Sequence, residues 1–183
     1  MRKIIAAINM TVDGFCDHTA GIANEETHQH YADLLSDADL ILYGRTTFQL
    51  MEYWRDIVAN PTGIKAMDEF AVKMDQIPKI VFSRTLENVD WKNSELKREI
   101  NEEEILELRQ QPGKDILAGS PSLIVALTQL GLIDEYQLAV HPVILGSGLP
   151  LFKNITEKIG LKLLKTKTFD FGVIILYFEP VKE

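Results

Sequence analysis

The sequence predicts an α/β fold with a mostly parallel sheet and antiparallel strands at its C-terminal end. Two patterns carry this expectation. Short apolar runs alternate with capped amphipathic segments over residues 3–131, and three strand-like runs joined only by loops then follow. The chain has 183 residues, 46% of them hydrophobic, which is enough for a real core. No internal repeat, low-complexity tract or linker divides it, so residues 1–183 read as one domain.

The elements follow in order. Lys3–Asn9 is a compact apolar strand, and Thr11–Gly21 is a loop containing Asp13-Gly14. Asn24 is placed to cap a helix running to about Ser36, with Glu25 and Glu26 in the first turn, where the helix dipole favours carboxylates. Leu40–Tyr43 is a buried strand ended by Gly44. Thr46 then caps a helix to about Ile57, and Pro61-Thr62-Gly63 breaks the chain before a helix over Ile64–Met74. Pro78 introduces the strand Lys79–Phe82; residues 86–101 are polar and hold at most one short strand. Glu102–Gln111 is a charged helix closed by Pro112-Gly113, and Asp115–Ala118 is a strand. Pro121 suits the first turn of a helix to about Leu130, and Gly131 suits its exit. Glu135–Leu145, Lys162–Thr168 and Val173–Glu179 are the closing strands.

Bulk charge narrows the partners. With 19 Lys and Arg against 27 Asp and Glu, the net charge is -8, and no basic stripe offers a nucleic-acid footprint. No apolar run reaches the roughly 18 residues of a membrane span, so no membrane partner is expected and the reading is cytoplasmic. Cys16 stands alone, which excludes an internal disulfide and a multi-cysteine metal site.

Ligands of open α/β sheets sit beyond the carboxyl ends of the strands. Three such ends carry suitable chemistry. At Gly44-Arg45-Thr46-Thr47 a glycine permits close backbone approach, a helix N-terminus favours phosphate and Arg45 adds a cation. Ser83-Arg84 supplies a hydroxyl and a forked donor for a phosphate monoester. Gly119-Ser120-Pro121-Ser122 repeats the strand–glycine–helix device. Their conjunction favours a dinucleotide.

Other candidates point elsewhere. His28 and His30 lie two apart on a helix and face different ways, so no metal is expected; His28 instead remains open as a cavity residue or helix surface. Gly146-x-Gly148 lacks a P-loop lysine. Tyr53 and Trp54 read as core or cavity wall, His141 as structural, Asp134-Glu135 as a structural turn, and Cys16 as inert.

The order Ile4–Ile8, Gly44-Arg45-Thr46-Thr47-Phe48, Val81-Phe82-Ser83-Arg84 resembles dihydrofolate reductase. Gly119-Ser120-Pro121-Ser122-Leu123, Leu130–Glu135, Pro142–Gly148, Phe152 and the loop Met10–Gly14 resemble the reductase domain of the riboflavin-biosynthesis deaminase/reductase. The resemblance implies a three-layer fold, NADPH as cofactor and a homodimer. It implies cofactor phosphates at Gly44, Arg45 and Thr46, the 2′-phosphate at Ser83 and Arg84, and the pyrophosphate and ribose at Gly119, Ser120, Ser122 and Leu123. Gly146 would shape the nicotinamide side or the dimer contact. The helix carboxylate of dihydrofolate reductases falls on His28 here, so folate reduction is not expected. The implied activity is hydride transfer to a C=O or C=N carbon of a small soluble substrate. Asp13, Glu26, His28 and water are the open proton sources. The alternative is a non-catalytic NADPH-binding sensor or scaffold dimer. Arg55 is the one basic residue in the segments expected around the substrate (11–30 and 50–57), which disfavours a ribose phosphate.

Overall fold

A computed structural model describes residues 1–21 and 23–181. The chain runs β1 (Ile4–Thr11), α1 (Glu25–Ser36), β2 (Ala38–Gly44), α2 (Arg45–Met51), α3 (Tyr53–Ala59), α4 (Lys65–Gln76), β3 (Lys79–Phe82) and β4 (Ser94–Lys97). It continues through α5 (Glu102–Gln110), β5 (Asp115–Ala118), α6 (Pro121–Gln129), β6 (Glu135–His141), β7 (Leu161–Thr168) and β8 (Ile174–Pro180). The strands form one eight-stranded sheet in the order β4-β3-β2-β5-β1-β6-β8-β7. Pairings from β4 through β6 are parallel, and β8 joins β6 and β7 antiparallel. The α/β class with an antiparallel C-terminal edge is thus observed.

Alternation along the strands builds the layers. Ile4, Ala6, Leu42, Ile116 and Ala118 face α5 and α6, where Ile105, Ile124 and Leu127 close one core. Ile5, Ile41, Tyr43 and Leu117 face α1 and α4, packing on Ala32, Leu35, Phe70 and Met74. Each large aliphatic side chain so buried contributes about 1.5–3 kcal/mol of transfer free energy. The amino end of the sheet is pinned by charge: Arg109 Nη2 donates to both oxygens of Asp134 (2.8 and 2.7 Å), and Asp134 Oδ2 also accepts the Ile4 N–H at 2.9 Å. Asp134 is therefore structural, as its sequence context suggested.

Caps follow the expected chemistry in part. Asn24 Oδ1 accepts the Thr27 N–H at 2.8 Å, and Gly131 leaves α6 with φ of 65°. Three local expectations are corrected. Thr46 does not cap a helix: Gly44 occupies the N-cap position of α2 without a side-chain bond. The helix expected over Thr46–Ile57 is two short ones, parted at Glu52. The strand expected over Glu135–Leu145 ends at His141, because Pro142 has no N–H for the ladder. The polar stretch 86–101 yields one strand, β4, beside β3.

Two crossovers matter for function. β1 passes to α1 on one face, whereas β5, its neighbour, passes to α6 on the other. A crevice beyond the carboxyl ends of β5 and β1 is the consequence, since the helices diverge there. No helix among the described residues is long and apolar enough to cross a membrane.

Candidate active site

The strand-end turns converge. A groove of about 420 Å³ lies beyond β2, β3 and β4 and is lined by Gly44, Phe82, Ser83, Arg84, Arg98, Glu99, Ile100, Ser122 and Leu123. Ser120 adjoins it, buried, and its Oγ accepts the Gly44 N–H at 2.8 Å. A Cβ placed on Gly44 would sit 3.4 Å from Ser122 Oγ and 3.6 Å from Ser120 Cβ. The bare Cα thus leaves a small hollow bordered by hydroxyls, which a side chain would fill.

Each candidate has a definite state. The Gly44 N–H is occupied by Ser120, so it is not a spare phosphate donor. Arg45 is exposed and donates from Nη1 to Thr85 Oγ1 at 2.8 Å, spanning the ends of β2 and β3, while Thr46 is exposed. Ser83 is buried, and its Oγ accepts the N–H groups of Thr85 (3.2 Å) and Leu86 (3.0 Å), shaping its own turn. Arg84 points outward, 81% exposed, with Glu99 3.9 Å away. Ser122 is exposed, while Leu123 belongs to the core beneath. Gly119 has a packing reason beyond ligand approach: a Cβ there would lie 2.9 Å from the buried Tyr43 ring.

Asp13 acts as a latch. Its carboxylate accepts from Thr11 Oγ1 (2.6 Å), Gly146 N (2.7 Å) and Leu145 N (3.1 Å), tying the loop after β1 to the turn after β6. Thr11 first, then Gly146, holds its pKa down to about 2. Asp13 is therefore an ionised brace, and the Gly146 N–H is spent on it. Because the folded value lies below the ordinary 3.8, its stabilisation is complete above that value and lost as pH falls through about 2. Urea unfolding of wild type and Asp13→Ala should show a constant difference from pH 7 to 5 that shrinks towards pH 2. A gap persisting undiminished at pH 2 would contradict the latch.

Glu26 and His28 do not join the groove. Glu26 Oε2 accepts the Asp170 N–H at 3.0 Å and lines a separate hollow with Glu25, Asp33 and His30, whose acidity opposes phosphate. His28 packs edge-on against Trp54 (5.5 Å) and against Phe70 (6.2 Å), and its Nδ1 is buried without a hydrogen-bond partner among the described residues. Burial lowers its pKa and keeps the ring neutral at pH 7. Trp54 packs against the core, on Phe70, one of the two roles its sequence position allowed, whereas Tyr53 is 54% exposed. Burial pushes the Cys16 thiol up to about 11, which leaves little thiolate at neutral pH. No cluster of His, Cys, Asp and Glu among the described residues is arranged to hold a metal.

Sequence reasoning missed Arg98, Asn9 and Tyr31. Arg98 follows β4 and donates to the carbonyls of Ser83 (3.2 Å) and Leu86, fixing the 83–87 turn. Its only sequence signal was a basic residue after an ambiguous strand. Asn9 is exposed on central strand β1, a placement that periodicity cannot foresee.

This architecture, with a groove beyond the carboxyl ends of a mainly parallel sheet closed by two antiparallel strands, is that of a dihydrofolate-reductase-like α/β domain. The chain belongs to the RibD C-terminal domain family, whose profile matches residues 2–175. That family is reductase-like, and the chain is of oxidoreductase kind. It is 35% identical over 185 residues to the protein YyaP of Bacillus subtilis (strain 168), covering 97% of this chain and 94% of that one. The crystal structure of a Shewanella sp. PV-4 protein named for riboflavin biosynthesis shares the fold, with a TM-score of 0.76 at 17% identity over 98% of this chain and 99% of that one. A pyrimidine reductase-like protein from Corynebacterium diphtheriae NCTC has a TM-score of 0.63 at 15% identity, over 100% and 93% of the two chains.

Proposed function

We propose that this chain is an NADPH-dependent reductase that delivers a hydride to a C=O or C=N carbon of a small soluble molecule. The observation that supports it is the meeting of the Gly44, Ser83-Arg84 and Ser122 turns in one groove beside the crevice between β5 and β1. The groove suits an anionic dinucleotide. The hollow over Gly44, bordered by the Ser122 and Ser120 side chains, would take a phosphate oxygen, and Arg45 and Thr46 follow directly in the chain. Arg84, exposed and held among the described residues by one long ion pair, is the cation available to a 2′-phosphate, on the turn that Ser83 and Arg98 shape. Gly119, Ser120 and Leu123 form the backing of that site.

NADPH, when bound, supplies the hydride. The protein positions and encloses. The Asp13 latch to Gly146 holds one wall of the cleft rigid, and the packing of His28, Trp54 and Phe70 fixes α1 against the helices beside it. Asp13 is ionised, Glu26 is bonded elsewhere and His28 is neutral, so water supplies the proton that completes the reduction.

Thermal unfolding tests the reading. At 100 times its dissociation constant a ligand stabilises by about 2.7 kcal/mol. NADPH should therefore raise the midpoint clearly more than NADH at equal concentration. Equal shifts would remove the 2′-phosphate site, and no shift from either would remove the dinucleotide. The engagement of Asp13 with Gly146 and of Glu26 with Asp170 favours, as the rival, a binding protein without catalysis. A panel of aldehydes, ketones and imines separates the two, because a catalyst oxidises NADPH with at least one of them.

The same reading includes a homodimer. Edge strand β7 is exposed along its whole length, and Leu161, Leu163, Ile174 and Phe152 stay exposed. An apolar surface of this kind is suited to burial by a second copy. Sedimentation should give twice the 20.7 kDa chain mass, and a monomer at micromolar concentration would refute it.

A further inference from the structure

β1 outruns its neighbour. β5 ends at Ala118, opposite Ala6, so residues 7–11 of β1 have β6 on one side and the crevice on the other. Asn9 lies on the same face as Ile5 and Ala7, the face that α1 covers. Yet its side chain is exposed, so the helix layer leaves the sheet open at this point. An exposed polar residue on the central strand of a sheet is floor, not surface.

Its hydrogen bonds are asymmetric. Oδ1 accepts from the Tyr31 hydroxyl at 2.9 Å and lies 3.0 Å from His141 Nε2. With Oδ1 as the acceptor, Nε2 must carry the ring proton. A carbonyl oxygen has two lone pairs, and both are taken. The amide can then no longer turn, and its Nδ2 protons face away from both partners, with none of their own among the described residues. His141 is buried, with Gly21 against its ring, and burial disfavours its charged form, which keeps it a single-proton donor. Tyr31 is fixed in α1. Both anchors belong to the scaffold.

We infer that Asn9 is the substrate-positioning residue, its Nδ2–H pair held by Tyr31 and His141 to receive a carbonyl oxygen of the substrate. The inference rests on the reductase reading and names the acceptor group that site takes. As the new C–H bond forms with hydride from NADPH, the π pair moves onto the oxygen that Asn9 holds, and a proton from water completes the hydroxyl. A fixed N–H donor is worth more to that growing charge than a mobile one.

The test separates donor from acceptor roles. Asn9→Asp keeps an acceptor for Tyr31 and His141 but has no N–H, whereas Asn9→Ala loses both. Each intact chain is titrated with NADPH, and separately with N-methylpyrrolidone, a carbonyl acceptor that hydride does not reduce. The Asn9 side-chain amide is followed by ¹H–¹⁵N NMR in the wild type. The wild-type Nδ2 resonances should shift saturably with N-methylpyrrolidone and stay unmoved by N-methylpyrrolidine, which lacks the carbonyl. Asn9→Asp should hold NADPH within about twofold of wild type yet bind N-methylpyrrolidone about tenfold more weakly, the worth of one hydrogen bond. Wild-type affinity for the probe in Asn9→Asp, or an amide that does not respond at saturation, overturns the inference. NADPH binding with a silent amide refutes Asn9 alone; a responsive amide without NADPH binding refutes the reductase and leaves the carbonyl site standing.

Discussion

Asp134→Ala should lower the unfolding free energy by about 3 kcal/mol, the range measured when one partner of a buried ion pair is removed. The Arg109 guanidinium has a side chain only 8% exposed, and Asp134 supplies both of its short carboxylate contacts. Without the carboxylate, that charge stays in a site that water barely reaches, and the Ile4 N–H at the start of β1 also loses its acceptor. Ile4 begins the central strand, so the loss falls where β1, β5 and β6 are joined. Urea unfolding measures it. A double variant, Asp134→Ala with Arg109→Met, should recover part of the loss, because it removes the unpaired charge and leaves an apolar side chain of similar length. A cost below about 1 kcal/mol for Asp134→Ala would mean that water reaches Arg109 and that the pair is a surface one.

Arg84→Ala is expected to weaken NADPH binding by roughly 10- to 100-fold, the worth of charge-assisted hydrogen bonds to a phosphate. NADH, which lacks the 2′-phosphate, should change less than about twofold. Among the described residues Arg84 has one ion pair, exposed and long at 3.9 Å to Glu99, and exposed pairs of that kind contribute little. The guanidinium is therefore free to turn onto a phosphate at little cost. Arg98 cannot substitute, because its guanidinium already serves the carbonyls of Ser83 and Leu86. Fluorescence titration of both cofactors against wild type and Arg84→Ala decides the matter. An unchanged ratio of the two affinities would move the phosphate pocket away from the end of β3.

Much of the fold was legible residue by residue. Asn24, Pro121 and Gly131 bound their helices where capping chemistry requires, and the strand over Lys79–Phe82 is found with the same ends. The misjudged boundaries share a cause. Thr46 has the right hydroxyl for a cap, but the chain enters α2 directly from β2, so the cap position falls on Gly44. The run 135–145 is mostly apolar, but pairing with β1 ends at the register Thr11 with His141, just before Pro142.

For the site, the sequence by itself determined which turns hold phosphate-compatible chemistry: a glycine after β2, a serine and arginine after β3, and a glycine and serines after β5. Those types are local, because they follow strand ends that periodicity reveals. What only the tertiary structure decided is how each side chain is employed. Asp13 and Ser83 look like free ligands in sequence, yet one is spent on Gly146 and the other on its own turn. Asn9 looks like the end of an apolar strand, yet it lies on the open floor between β5 and β6. Hydrogen-bond partners 22 to 133 residues apart, such as Asn9 with Tyr31 and Asp13 with Gly146, exist only once the sheet order brings them together, and sheet order is a property of packing rather than of any local pattern.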